Sequence, residues 1–332
     1  MTALTPTHLD WPSDLAELTR HSLVAEYAGL TRDGRPVTWP VTPYLGEETG
    51  TIDVSTGLTY PAKAERARRD PRVAVLLSSR IAPGVADPAV VLVQGLATVR
   101  DADLQANLDR YVHDSQIKLP GIYTGSPRWA LRRSAWYFAR IYVQVTPLRI
   151  TSWAGGRLDR DPEVWTAPEG TTAPPSDPAP TGPSLGSGWA KPPGDWRPFA
   201  DRAEQLGAPV LTVGGADGWP LPVRCRDAER TADGFVVRPP AGIQVGGGPA
   251  CLTAHRHDES FSGQENVVLV GTAEPTDDGR VHVRVDRALT DWSITGSRLA
   301  KAAGFLAKGR DLGRRLAVES ARRGQPAPRV HL

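Results

Sequence analysis

The chain has 332 residues, of which 40% are hydrophobic and 23% charged, with a formal net charge of +2. That length suits two domains, each able to bury its own core, and the near-neutral balance leaves no electrostatic footprint for nucleic acid. Two cysteines make no disulfide framework, and no run of 18 apolar residues is present to span a membrane; residues 1–14 lack the apolar core of a signal peptide, so a cytoplasmic protein is expected.

A short helix is predicted over 12–19 and a strand over 22–30. A turn on Asp33-Gly34 follows, then a strand over 36–45 and another after Thr49. Residues 62–69 read as a short basic helix that Asp70-Pro71 stops, because the residue before proline disfavours helix. The continuous apolar run 73–77 predicts a buried strand, 89–100 a valine-rich one, 101–114 a helix and 139–149 the last strand of this half. A stretch rich in Pro, Gly, Ser and Thr, 155–194, reads as a linker. Beyond it the same order returns: helix 198–206, strand 210–214, a turn on Asp217-Gly218, strand 219–227 and a strand after Asp233. The tail, 297–323, is a basic helix with leucines at 299, 306, 312 and 316. A membrane or nucleic-acid surface and packing along the body of the protein are its two readings.

The return is a repeat. Asp10-Trp11 is echoed by Asp195-Trp196 after 185 residues, and Asp33-Gly34 by Asp217-Gly218 after 184. Val91-Leu92-Val93-Gln94-Gly95 is echoed by Val268-Leu269-Val270-Gly271, and Tyr142 to Trp153 by His282 to Trp292. Collinear matches of this kind indicate an internal duplication of domain size. Four segments are expected: a first domain over 1–154, a linker over 155–194, a second domain over 195–296, and the basic tail over 297–332. Many valine-rich strands with few helices point to barrels or sandwiches.

Lys63 is the only lysine in the first 117 residues of a chain that otherwise uses arginine. It follows Ser55-Thr56-Gly57 and stands at the start of the basic helix, where hydroxyls, backbone N–H groups and one full charge make a phosphate grip. The competing reading is a surface lysine paired with Glu65 or Asp70. Arg66, Arg68 and Arg69 are candidates to extend the grip, and Trp39, Tyr44 and Tyr60 to wall a planar ring. Trp136-Tyr137-Phe138 reads as core, with a substrate pocket as the alternative. His255 and His257 share one strand face with no third ligand beside them, so no metal site is expected.

The order strand, Asp-Gly turn, strand, strand, lysine-bearing helix, Asp70-Pro71-Arg72-Val73, strand resembles the flavin-binding split-barrel superfamily. That superfamily holds the pyridoxamine 5′-phosphate oxidases and the flavin- or deazaflavin-dependent oxidoreductases. Thr31 to Val37, Pro40 to Pro43, Ser55-Thr56, Lys63-Ala64 and Val93-Gln94-Gly95 carry the likeness, over 22–153 well and over 195–292 faintly. The resemblance implies a mainly β fold with short helices, as two tandem split β-barrels. It implies FMN or the deazaflavin coenzyme F420, with haem as a lesser alternative on His255, His257 or His113. It places the phosphate on Lys63, Ser55 and Thr56, and the ring and its side chain along Thr38, Trp39, Pro40, Val41 and Thr42. An arginine expected near Trp39 is missing, as is a Ser-Arg where Pro61-Ala62 stand, which argues against pyridoxamine phosphate oxidation itself. In the second half Lys63 falls on Gly247, and Ser55 and Thr56 on Pro239 and Pro240, so that half has lost the grip. The expectation is one cofactor per chain, between two barrels paired within the chain, with or without a further homodimer. A small organic substrate would be reduced or oxidised by hydride transfer, with no catalytic side chain identifiable. The alternative is a flavin- or haem-binding module without turnover.

Overall fold

The computed structural model describes residues 11–12, 15–46, 49–124, 127–183, 195–259, 261, 263–293 and 298–331. The first half runs α1 (Leu15–His21), β1 (Ala25–Leu30), β2 (Pro36–Val41), β3 (Pro43–Gly46), β4 (Thr51–Gly57), α2 (Ala62–Arg69), β5 (Arg72–Leu77) and β6 (Val90–Arg100). It continues with α3 (Leu104–Lys118), α4 (Arg128–Arg132), α5 (Ala135–Phe138), β7 (Arg140–Trp153) and β8 (Glu163–Thr166). The second half runs α6 (Arg197–Glu204), β9 (Val210–Gly214), β10 (Pro220–Arg224), β11 (Asp227–Arg230), β12 (Gly234–Arg238), β13 (Gly248–His257), β14 (Gln264–Pro275), β15 (Val281–Ser293) and α7 (Arg298–Arg322).

Two antiparallel sheets result. The first has the order β2-β1-β5-β6-β7-β4-β3, with β8 added beside β7, and the second has β10-β9-β13-β14-β15-β12-β11. The two orders are identical once β1–β7 are matched to β9–β15. The fold is therefore mainly β, in two tandem half-barrels, as the resemblance implies. The strand expected over 36–45 is two strands. Pro43 offers no N–H to continue the β2 ladder, and the chain passes there from β1 on one edge to β4 on the other. The strand expected over 219–227 divides in the same way, at Cys225 and Arg226. Gly34 and Gly218 hold φ of 74° and 78° at equivalent turns, a conformation that costs glycine little. Gly95 and Gly271 lie at matching register shifts, each so close to the carbonyl of Thr146 or Arg284 that a Cβ has no room.

The continuous apolar runs have a physical reason. Val73, Val75 and Leu77 of β5 and Val91 and Val93 of β6 point into the first core. Their alternates, Ala74, Leu76, Val90 and Leu92, meet Val210 of the second half in a separate cluster. Both faces of these strands are buried, so the alternation of a half-exposed sheet is missing. The halves also share hydrogen bonds: Thr38 Oγ1 to Thr212 Oγ1 at 2.6 Å, Thr253 Oγ1 to the Thr38 carbonyl at 3.0 Å, and Gln94 Nε2 to the Pro220 carbonyl at 3.0 Å. Glu26 of β1, fully buried, receives Arg224 and His255 from the second half at 2.6 and 2.5 Å.

One segment differs from expectation, and the tail takes the second of its two readings, packing along the body of the protein. Part of the Pro/Gly-rich stretch is packed: β8 pairs with β7, Ser176 accepts from the Val99 N–H, and Asp177 accepts from the N–H groups of Asp101 and Ala102. Its polar side chains serve as acceptors for the end of β6, which composition does not reveal; residues 184–194 lie outside the described set. The basic tail helix lies along the first half. Leu316 and Val330 join its core, and Arg323, 3% exposed, pairs with Asp101 and Glu319 at 2.8 Å each. The side chains of Leu299 and Leu306, like Asp10, lie outside the described residues.

Candidate functional site

At the top of β4 the chain turns through Leu58 to Pro61 into α2. Thr56 Oγ1 donates to the Tyr60 carbonyl at 3.1 Å and fixes the turn. No side chain among the described residues caps α2, which leaves its first N–H groups and their partial positive charge without a capping side chain. Lys63 stands in the first turn of this helix. Neither partner of the surface-lysine reading reaches it. Glu65 faces Arg322 and Arg323 at 3.6 Å, and Asp70 is held by Arg72 at 2.7 Å.

Cations surround Lys63. Burial, and then the charges of Arg140 and Arg66, push its pKa down to about 8. Arg66, one turn along α2, is lowered as well, by burial and by Arg69. Arg140 opposes Gly57 at the start of β7; it donates to the Tyr111 hydroxyl at 2.9 Å, while its Nε is buried without a partner. Trp39 lies with its ring centroid 6.0 Å from Lys63 Nζ, and its Nε1 is a second buried donor without an acceptor. The Tyr27 hydroxyl, in the field of Arg66 and opposite Trp39 in the β1–β2 register, is a third. Among the described residues the side chains of Lys63 and Arg66 make no hydrogen bond or ion pair. Among the described residues the cluster is thus a set of donors and positive charges that holds the Tyr111 hydroxyl as an acceptor for Arg140 but no anion. Burying donors unpaired costs about 1–3 kcal/mol each, a cost that one anion offsets for several at once.

The other expected site residues divide by strand face, since neighbours on a strand point opposite ways. Trp39 and Val41 share the inner face of β2, and Val41 is packed in the core. Thr38 points to the second half and is occupied by Thr212; Pro40 lies opposite Glu26 on that same face. Thr42 is half-buried between β2 and β3. Thr56 is buried beside the α2 turn, whereas half-buried Ser55 takes the other face, opposite Tyr142. Of the eight, Lys63, Trp39 and Thr56 come together at the cluster. Tyr44 lies by Lys118 and Tyr60 under Arg315. Arg68 is committed to Asp101, and Arg69 to the Leu30 carbonyl. Phe138 is core, as expected, while Trp136 is half-buried and Tyr137 is 36% exposed. Arg140 and Tyr27 are absent from the sequence reading. Both are brought in by strand pairing, Arg140 across β4–β7 and Tyr27 across β1–β2.

The histidines do not converge. His255 is held by Glu26, His257 bonds Ser79 at 2.8 Å, and His113 is exposed beside Asp114. No group of three metal-ligating side chains occurs among the described residues. The second half has no helix between β12 and β13 where α2 stands in the first. Its strand β13 nonetheless reaches the cluster, with Cys251 in the field of Arg66. Two cavities, of about 420 and 390 Å³, lie elsewhere, and neither is lined by Lys63, Arg66 or Arg140.

No protein-family profile matches the chain, and none of the curated proteins does. Among solved structures it is similar to a conserved hypothetical protein of Mycobacterium tuberculosis, at 22% identity and TM-score 0.34 over 44% of this chain and 85% of that one. It is similar to a pyridoxamine 5′-phosphate oxidase-related, FMN-binding protein of Nostoc punctiforme, at 17% identity and TM-score 0.30 over 43% and 83%. A structure named F420 reductase matches at 18% identity and TM-score 0.30 over 42% and 98%.

Proposed function

We propose that the chain is an oxidoreductase that binds one flavin-type cofactor, FMN or the deazaflavin coenzyme F420, by its phosphate at the α2 cluster. The observation that carries this is the gathering of Lys63, Arg66, the Arg140 Nε and the Trp39 Nε1 around an uncapped helix start with no anion of their own. A phosphate supplies the missing acceptors and the missing charge together. Lys63 and Arg66 bind it, Arg140 and the α2 N–H groups orient it, and the Trp39 ring flanks the group attached to it.

The second half contributes a wall. Thr253 and Cys251 of β13 stand against β2 and Arg66 and exclude water from that side. The half-barrel that carries β13 lacks its own α2, so one cofactor per chain is the expected stoichiometry. A bound flavin supplies the hydride chemistry, and the protein supplies position and a dry environment. No described side chain is required as nucleophile or metal ligand.

The test is reduction. Purified protein reconstituted with FMN is mixed anaerobically with NADH or NADPH as hydride donor, and in a second assay the protein is mixed with reduced F420 as hydride donor, with organic electron acceptors added in turn to each. Loss of the visible flavin band and its return on adding an organic acceptor support an oxidoreductase. A cofactor that binds but is never turned over assigns the chain to a carrier or sensor.

A further inference from the structure

The two halves share a strand order but not a filling. Counting from the matched tryptophans, Leu15, Leu18 and Leu23 follow Trp11 at the same distances at which Ala200, Ala203 and Ala208 follow Trp196. Leu15 and Leu18 lie on α1 and are 0% and 2% exposed in the first core. Ala200 and Ala203 lie on α6, which precedes the second sheet as α1 precedes the first but packs on β13 and β14, and both belong to the second core. Ala200 and Ala203 each carry an isopropyl group less than a leucine would, and a rigid sheet does not collapse to refill such space.

The space is there. A cavity of about 420 Å³ opens beside α6, with Ala203 and Ala208 on one wall and Phe235, Leu252, Ala254 and Leu269 on the other. Removing a single leucine from a rigid core leaves on the order of 150 Å³, which stays dry and accepts a benzene-sized molecule. The volume here is more than twice that, and it is open at one end. At the mouth Asp227 is bound by Arg238 at 3.1 Å, and Glu204 is exposed to solvent. The exposed Arg226 side chain, also at the mouth, has no partner among the described residues.

We propose that the second half-barrel is a binding site for a small aromatic or branched aliphatic carboxylic acid. The apolar body fills the cavity between α6 and the sheet, beside Ala203 and Ala208, and the carboxylate meets Arg226 at the rim. The half that has no helix between β12 and β13 is the half that carries this cavity. This site shares no residue with the α2 cluster and stands or falls independently of the cofactor.

The test is titration of the full chain with benzoate, 1-naphthoate and the uncharged benzyl alcohol, followed by methyl NMR of alanines and leucines. Saturable shifts at Ala203, Ala208, Leu252 and Ala254 are expected. Ala203→Leu and, separately, Ala208→Leu weaken benzoate at least tenfold while the melting temperature holds or rises. Arg226→Ala weakens benzoate about tenfold and leaves benzyl alcohol unchanged, as one charge-assisted contact predicts. No saturable shift at millimolar ligand, shifts elsewhere, or undiminished binding in a folded leucine variant overturns the site. Equal affinity for benzoate and benzyl alcohol overturns the acid as its ligand. If one leucine variant fails to fold, the other and Arg226→Ala decide.

Discussion

Lys63→Met separates binding from stability. In the folded chain without its ligand Lys63 is held at about 8, against 10.5 for the free side chain, by burial and by Arg140 and Arg66. Each tenfold loss of proton affinity corresponds to about 1.4 kcal/mol, so a charged Lys63 costs the folded state up to about 3 kcal/mol, less where solvent reaches its tip. The sign follows from proton counting. Below pH 8 both folded and unfolded chains carry the charge and the penalty is complete. Between pH 8 and 10.5 the unfolded chain binds more protons, so stability rises with pH, and above 10.5 the penalty is gone. Methionine fills similar space without charge. Urea melts of the cofactor-free protein should therefore show Lys63→Met more stable than wild type by about 1–3 kcal/mol at pH 7, with the difference shrinking toward pH 10.5. Phosphate or cofactor at a given concentration should stabilise the wild type more than Lys63→Met. A variant as stable as wild type at every pH, or less stable, would mean that Lys63 is solvated and the cationic cluster is no ligand site.

Three further outcomes follow from the same contacts. Cofactor affinity measured by fluorescence titration should be level at about pH 7–7.5, where the phosphate is ionised and Lys63 charged, and decline above pH 8 as free Lys63 loses its proton; Lys63→Arg should remove the decline. Arg224→Met leaves buried Glu26 without its strongest attraction. Burial alone would raise the Glu26 pKa, but Arg224, His255 and Ser78 outweigh it and hold it below 4.5, so removing Arg224 should cost about 3–5 kcal/mol in a urea melt. In the wild type that contribution is present above pH 4.5 and is lost as pH falls through the lowered folded value. Arg323→Ala breaks the pairs to Asp101 and Glu319, which are 2% and 0% exposed, and hydrogen exchange should show the last turns of α7 opening well before the first barrel.

Local chemistry was the legible part of the fold. The helix 62–69 is found to the residue, because Pro61 begins it and Asp70-Pro71 cannot continue it. The duplication is visible because tryptophans, Asp-Gly turns and the close-packed glycines of β6 and β14 tie specific backbone geometry to specific residues. Strand pairing was not legible. Arg140 reaches Lys63 only through the β4–β7 register, and nothing near Arg140 in the chain announces that partner. Thr38 and Trp39 look alike as candidates until their faces are known, when one meets Thr212 and the other Lys63. Strand β8 has no apolar alternation to declare it, since three of its four residues are exposed. The leucine-to-alanine series was readable in the sequence, but its meaning depends on seeing that Ala203 and Ala208 line a cavity.

The central claim is one anionic cofactor gripped at Lys63 and walled by the second half. The most direct measurement is a titration of the cofactor-free protein with FMN and, separately, F420, followed by visible absorbance and calorimetry, on wild type and Lys63→Met. The account predicts saturation at one cofactor per chain for one of the two, and an affinity one to two decades weaker in Lys63→Met, as loss of a charge-assisted contact of about 1.5–3 kcal/mol requires. Two cofactors per chain, equal affinity in the variant, or no binding of either cofactor would contradict it.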